Sequence, residues 1–67
     1  MNNDIQSYVN AYSQYIDDFD QYDNGNVRIE YNNPSKVMWL KRMAFEVANL
    51  TEITATMGTN RIVMYFE

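Results

Sequence analysis

Residues 27–50 read VRIEYNNPSKVMWLKRMAFEVANL and place a strand pattern directly before a helix pattern. In residues 27–31, apolar side chains alternate with charged ones, which is the period of a strand with one buried face. The polar segment around Pro34 ends this alternation. Apolar residues then recur at steps of three and four up to position 50, so we expect a helix over about 35–49.

The residues before this stretch predict another helix. Between positions 5 and 19, apolar and aromatic residues recur at steps of three and four, so we expect a helix over about 4–20. Gly25 follows, and glycine tolerates the left-handed backbone at which helices end. Asn-Gly is also a strong hairpin signal, so pairing of residues 19–23 with 26–31 is the competing interpretation.

The residues after position 50 predict a hairpin. Apolar and polar residues alternate over 51–57 and again over 61–66, with a glycine-containing turn between them. The element order is then α-β-α-β-β. A right-handed crossover from strand 27–31 to strand 51–57 predicts a three-stranded mixed sheet with both helices on one face. We therefore expect a small two-layer α+β fold, with residues 1–67 forming a single domain.

Length and composition limit the class of protein. A chain of 67 residues can bury only one thin core. It contains no cysteine, so it has neither disulfides nor thiolate metal sites, which favours a cytoplasmic location, the host cytoplasm if the protein is viral. Its start lacks the pattern of a signal peptide, and its apolar runs are far shorter than the roughly 20 residues of a membrane span. We expect a soluble protein that does not contact membranes.

The residues that most enzymes use are missing. There is no histidine or cysteine to act as base, nucleophile or metal ligand, and the two glycines are too far apart to form a phosphate loop. A calcium loop aligned on Gly25 would need oxygen ligands at the positions of Tyr22 and Tyr31, and both fail. We expect no enzymatic activity, no metal and no cofactor.

The acidic residues are concentrated near the front of the chain. The first 25 residues contain five Asp and no Lys or Arg, although the whole chain has a net charge of only −4. Asp17, Asp18, Asp20 and Asp23 cluster at the end of the predicted first helix, where the helix dipole disfavours negative charge. Such a locally unfavourable arrangement indicates a binding surface for a basic partner. The ordinary alternative is that these Asp residues help to end the helix.

Tyrosines accompany these acids on the predicted helix. Tyr8, Tyr15 and Tyr22 are expected at the margin of its buried stripe, where a rigid apolar ring with a polar tip suits a protein contact. Bordering a small core is the ordinary alternative role. We assign these three tyrosines and the four Asp residues to a partner-binding surface.

The uncovered face of the predicted sheet is the other candidate surface. It is expected to carry Arg28, Arg61, Val63 and Tyr65, which suit a homodimer contact through the face or through a strand edge. Stacking of nucleic-acid bases on Tyr65 between the two arginines is the weakest hypothesis, since the face carries mixed charge and few aromatic residues.

The leading functional hypothesis is a small acidic inhibitor or adaptor that occludes a basic site on a partner protein. In its sharpest form, the carboxylates take the place of phosphates in a nucleic-acid channel, as in small phage-encoded DNA mimics and anti-defence proteins. That comparison rests on small size, acidity and the presence of a single domain. The contrasting hypothesis is a homo-oligomeric structural or interaction module.

Overall fold

Residues 3–67 of this computed structural model form two helices and a four-stranded sheet. The elements are helix α1 (Asn3–Ala11), a 3-10 turn (Ser13–Tyr15), strands β1 (Ile16–Gln21) and β2 (Val27–Tyr31), a 3-10 turn (Pro34–Lys36), helix α2 (Val37–Ala48), and strands β3 (Glu52–Met57) and β4 (Ile62–Phe66). The strand order is β1-β2-β4-β3, and every neighbouring pair is antiparallel. The predicted α+β class is confirmed.

The first helix is much shorter than predicted, and residues 16–21 form a strand. The hairpin interpretation is therefore the correct one: Tyr22 and Asn26 close the β1–β2 turn through a 2.8 Å backbone hydrogen bond, and Gly25 takes a φ of 91°. A bulge between Ile16 and Asp18 inserts an extra residue into β1. Because of this insertion, partly buried Ile16 and Phe19 are three residues apart, a spacing that imitates a helix.

The predicted three-stranded mixed sheet is also wrong in its details. Strands β2 and β3 are both antiparallel to β4, so they run in the same direction with β4 between them. The reason lies in the burial of the terminal hairpin: Ile62, Met64 and Phe66 are buried, whereas all of β3 is exposed. Strand β4 therefore joins the centre of the sheet and leaves β3 at the edge.

Both helices pack on the same face of the sheet. Alternate residues of β2 and β4 are buried, and they share one core with the inner residues of α1 and α2. Burying these side chains is the main favourable term for a domain of this size. The core comprises Ile5, Tyr8, Val27, Ile29, Tyr31, Val37, Leu40, Ala44, Ala48, Leu50, Ile62, Met64 and Phe66.

Local hydrogen bonds set both ends of α2. The Asn33 side chain accepts a hydrogen bond from the Ser35 backbone, and Pro34 begins the short turn that leads into the helix. At the other end, Asn49 adopts a left-handed backbone with φ 57°, and Leu50 donates to the Ala44 carbonyl at 3.2 Å. This ending turns the chain towards β3.

Candidate interaction surfaces

Large apolar side chains are exposed on α2 and β3. Met38 is 70% exposed, Phe45 55% and Met57 65%, and Trp39 and Ile53 are also exposed. We call Met38, Trp39, Phe45 and Met57 the α2–β3 surface. A cleft of about 650 Å³ opens between α2 and the start of β3. Its lining residues are Met38, Trp39, Lys41, Arg42, Phe45, Leu50, Thr51 and Glu52.

The α2–β3 surface was missed at the sequence level, although α2 carried a signal for it. Nine of the 12 residues in VMWLKRMAFEVA are apolar, yet only Val37, Leu40, Ala44 and Ala48 are buried. A helix that packs against a single layer buries only one stripe of its surface. An excess of apolar residues beyond one stripe indicates that a second side of the helix is available for contact.

Strand β3 has an open edge, because β4 is the only strand that pairs with it among residues 3–67. Gly58 donates to the Arg61 carbonyl at 2.7 Å, which identifies a hydrogen-bonded pair at the end of the ladder. Such pairs alternate with non-bonded ones in antiparallel sheets, so Thr56 points its backbone groups towards β4. By the same alternation, Ala55 and Met57 point their backbone N–H and C=O groups outwards.

The edges at β1 and β3 differ in their protection against pairing with another chain. Strand β1 carries three Asp residues and a bulge, both of which discourage an added strand. Strand β3 contains neither Lys nor Pro; its one charge, Glu52, and its bulge lie at its start. The remainder, Thr54 to Met57, is a regular and uncharged edge.

The four predicted Asp residues lie along the β1 edge and the following turn, not at the end of a helix. The dipole argument for them is therefore wrong. Asp17 accepts a 2.9 Å hydrogen bond from Asn32, and Asp18 forms a 3.0 Å ion pair with Arg28. Within residues 3–67, the side chains of Asp20 and Asp23 have no hydrogen-bond or ion-pair partner. We call Asp17, Asp18, Asp20 and Asp23 the acidic edge.

The predicted tyrosine row does not form one surface. Tyr8 is fully buried, so its assignment to a partner-binding surface is wrong. Tyr15 is half-buried, and its ring lies edge-on to that of Trp39 with 6.1 Å between the centroids. Tyr22 is 41% exposed and lies in the turn beside Asp23. Only Tyr22 combines exposure with a place in the same turn as one of the acids.

The buried Tyr8 hydroxyl connects α1 with α2 and with the sheet. It donates to the Leu40 carbonyl of α2 at 2.7 Å and lies 3.0 Å from the hydroxyl of Tyr31 on β2. Burial raises the pKa of Tyr8 to about 12, and it raises the pKa of Tyr31 still further. Both hydroxyls therefore stay protonated near neutral pH and act as structural groups.

The uncovered sheet face carries a network of ion pairs. Arg28 lies 3.0 Å from Asp18 and 3.3 Å from Glu30, and Arg61 lies 3.3 Å from the other oxygen of Glu30. Tyr65 is opposite Arg28 in the β2–β4 register. The Tyr65 oxygen, followed by the two carboxylates, raises the pKa of Arg28. The charges on this face are thus largely paired with each other, and Val63 and Tyr65 are half-buried beside them.

Two other kinds of feature are absent from the described residues. In residues 3–67, no three acidic, His or Cys side chains come together as a metal site. Over the same residues, neither helix has the length and apolar character required to cross a membrane. No protein-family model, curated protein or solved structure matches the chain.

Proposed function

We propose that the protein is a non-catalytic protein-interaction module whose main contact surface is the α2–β3 surface. The observation that carries this proposal is the exposure of large apolar side chains beside an unprotected strand edge. Single exposed apolar residues are ordinary on protein surfaces. A cluster of them is different, because binding a partner would remove a large apolar area from water. An open edge adds backbone groups that a partner chain can pair with.

The polar groups of the cleft support binding rather than catalysis. Lys41 and Glu52 form a 3.0 Å ion pair, and Arg42 pairs at 3.0 Å with Glu46. Charged side chains that pair with each other can help to orient a bound partner. Acid–base catalysis instead requires a group that gains or loses a proton near the working pH. A protein partner that covers the apolar residues fits this chemistry.

Photo-crosslinking tests the proposed surface. A photoreactive phenylalanine analogue replaces Phe45, and in a matched control it replaces exposed Asn24 in the β1–β2 turn. Irradiation in cells that naturally contain the protein should give discrete heavier adducts from position 45 and none from position 24. Equal adduct yields at the two positions, or none at either, would count against the proposal.

A second candidate function uses the acidic edge. Asp20 and Asp23 favour it because neither pairs with a cation within residues 3–67. In this form the protein is an inhibitor or adaptor in the cytoplasm that occludes a basic site on a partner. Its small size, net charge of −4 and localised carboxylates also support the narrower hypothesis of a DNA mimic.

Salt dependence and charge removal test this second candidate. Binding to a basic partner should weaken steeply as ionic strength rises, because salt screens exposed charges. Asp20→Asn with Asp23→Asn should weaken binding and leave the fold unchanged. Glu67→Gln is the matched control, since it removes an exposed acid elsewhere. Equal binding by the double variant and the control would exclude the acidic edge.

A further inference from the structure

The geometry points to a second copy of this chain as the occupant of the α2–β3 surface, bound through antiparallel pairing of the two β3 edges. This inference rests on the proposed function, because it names the partner of the same surface. A two-fold axis perpendicular to the sheet, between the two β3 strands, joins two four-stranded sheets into one of eight strands. The resulting order is β1-β2-β4-β3-β3′-β4′-β2′-β1′, with all helices on the same side.

The backbone of β3 is suited to this pairing. Ala55 and Met57 direct their backbone groups outwards, and in a symmetric pair each outward N–H can meet an outward carbonyl of the other copy. Paired residues share a sheet face, so Ala55 and Met57 lie on the helix side with Met64 and Ile62. The two clefts therefore lie on the same side of the joined sheet, and α2 and its copy stand on either side of the paired strands.

The local charge of the α2–β3 surface is compatible with a second copy and disfavours a strongly charged partner. The chain has a net charge of −4, but the cleft and its rim carry two cations and two anions that pair with each other. These residues are Lys41, Arg42, Glu46 and Glu52. The charges of this surface are therefore balanced locally, so contact between two copies brings no like charges together there. The acidic edge lies at the opposite side of the sheet, so pairing through β3 places the two acidic edges as far apart as the sheet allows.

The exposed area is sufficient for a small dimer. The exposed fractions of the four α2–β3 residues, applied to full side-chain areas of up to about 250 Å², correspond to roughly 450–500 Å² per copy. Complete coverage of this area in two copies would bury about 900–1,000 Å² of apolar surface, at the lower limit for a specific interface. Backbone pairing along β3 adds to this area.

The first tests measure the mass of the protein in solution and block the free edge of β3. Light scattering after size-exclusion chromatography should give twice the chain mass of 8.0 kDa. Ala55→Pro removes an outward N–H and spares the ladder to β4, so it should convert the dimer to a folded monomer. Thr59→Pro, in the β3–β4 turn outside the paired edge, is the control for proline itself, and it should remain dimeric. Ala55→Lys, which places a charge on the edge, should repeat the effect of Ala55→Pro if proline disturbs the fold.

Cysteine crosslinking then tests whether the two β3 strands lie side by side in the dimer. The chain contains no cysteine, and antiparallel neighbours lie about 4.5–5.5 Å apart between Cα atoms, within reach of a disulfide. Oxidation should therefore dimerise Ala55→Cys or Thr56→Cys, whichever lies on the axis, in high yield. Asn24→Cys, in the exposed turn, should stay monomeric under the same conditions.

The outcomes separate this inference from the proposed function. A monomer at every attainable concentration, or a dimer that survives both Ala55 variants and gives no crosslink at positions 55 and 56, would overturn the second copy as occupant. If position 45 still forms heavier photo-adducts with another protein, the proposed function stands and the occupant is a different chain. If the protein is monomeric and also forms no adducts at position 45, both the inference and the proposed function are refuted.

Discussion

Replacing Tyr8 by Phe removes a single oxygen atom, and we expect it to destabilise the protein strongly. The Tyr8 hydroxyl is fully buried and bonds both the Leu40 carbonyl and the Tyr31 hydroxyl. Tyr8→Phe leaves Tyr31 without its partner in the core, and a buried unsatisfied group costs about 1–3 kcal/mol. For a domain of this length, such a loss lowers Tm by roughly 5–20 °C.

The assay is urea and thermal unfolding followed by circular dichroism, at a fixed protein concentration. Tyr22→Phe is the matched control, because Tyr22 is 41% exposed and its loss of a hydroxyl should change the free energy of unfolding by less than about 0.5 kcal/mol. Equal stability of the two variants would refute the assignment of Tyr8 as the connection between the core layers.

High pH provides an independent check on the same hydroxyl. The pKa of Tyr8 rises from 10.0 to about 12 in the folded chain, which corresponds to about 2–3 kcal/mol of stability. Because the folded-state pKa is the higher one, this contribution is complete below pH 10 and is lost as the pH rises from 10 to about 12. The stability difference between wild type and Tyr8→Phe should therefore shrink over that range. A constant difference would contradict the pKa assignment.

Substitutions at three further positions test the β1–β2 turn, the end of α2 and its exposed side. Gly25→Ala should destabilise by about 1–2 kcal/mol in urea unfolding, because φ 91° is strained for an L side chain. Asn49→Gly should preserve or slightly raise Tm and Asn49→Ala should lower it, since position 49 is left-handed. Phe45→Ser, measured in the monomeric Ala55→Pro background, should cost about 1–2 kcal/mol, because 55% of Phe45 is exposed and only the remainder loses buried area. A loss above about 3 kcal/mol would place Phe45 in the core.

The elements with strong local patterns were predictable from the sequence. Strands β2 and β4 alternate without interruption, and α2 combines helical spacing with the entry signal at Pro34. These signals depend on neighbours within a few residues, so they persist in any tertiary arrangement. The uncovered sheet face was also predicted, since alternation with charged residues implies one solvent-facing side.

The first third of the chain could not be assigned in the same way. In β1 the bulge shifts the alternation by one residue, and the apolar positions then match a helix as well as a strand. Pairing with β2 decides between the two, and that pairing depends on residues up to 15 positions away, as between Ile16 and Tyr31. The predicted acidic helix end and the predicted place of Tyr8 at the margin of the buried stripe both followed from this one ambiguity.

The sequence by itself determined the α+β class, the second helix, the terminal hairpin and the concentration of acids before position 25. Only the tertiary structure decided the strand order, the position of those acids on a sheet edge, and the exposure of Met38, Phe45 and Met57. The physical reason is that local patterns report which residues are apolar, whereas burial depends on which surfaces have a neighbour. The core covers one side of α2 and none of β3, and no local pattern specifies which side is left open.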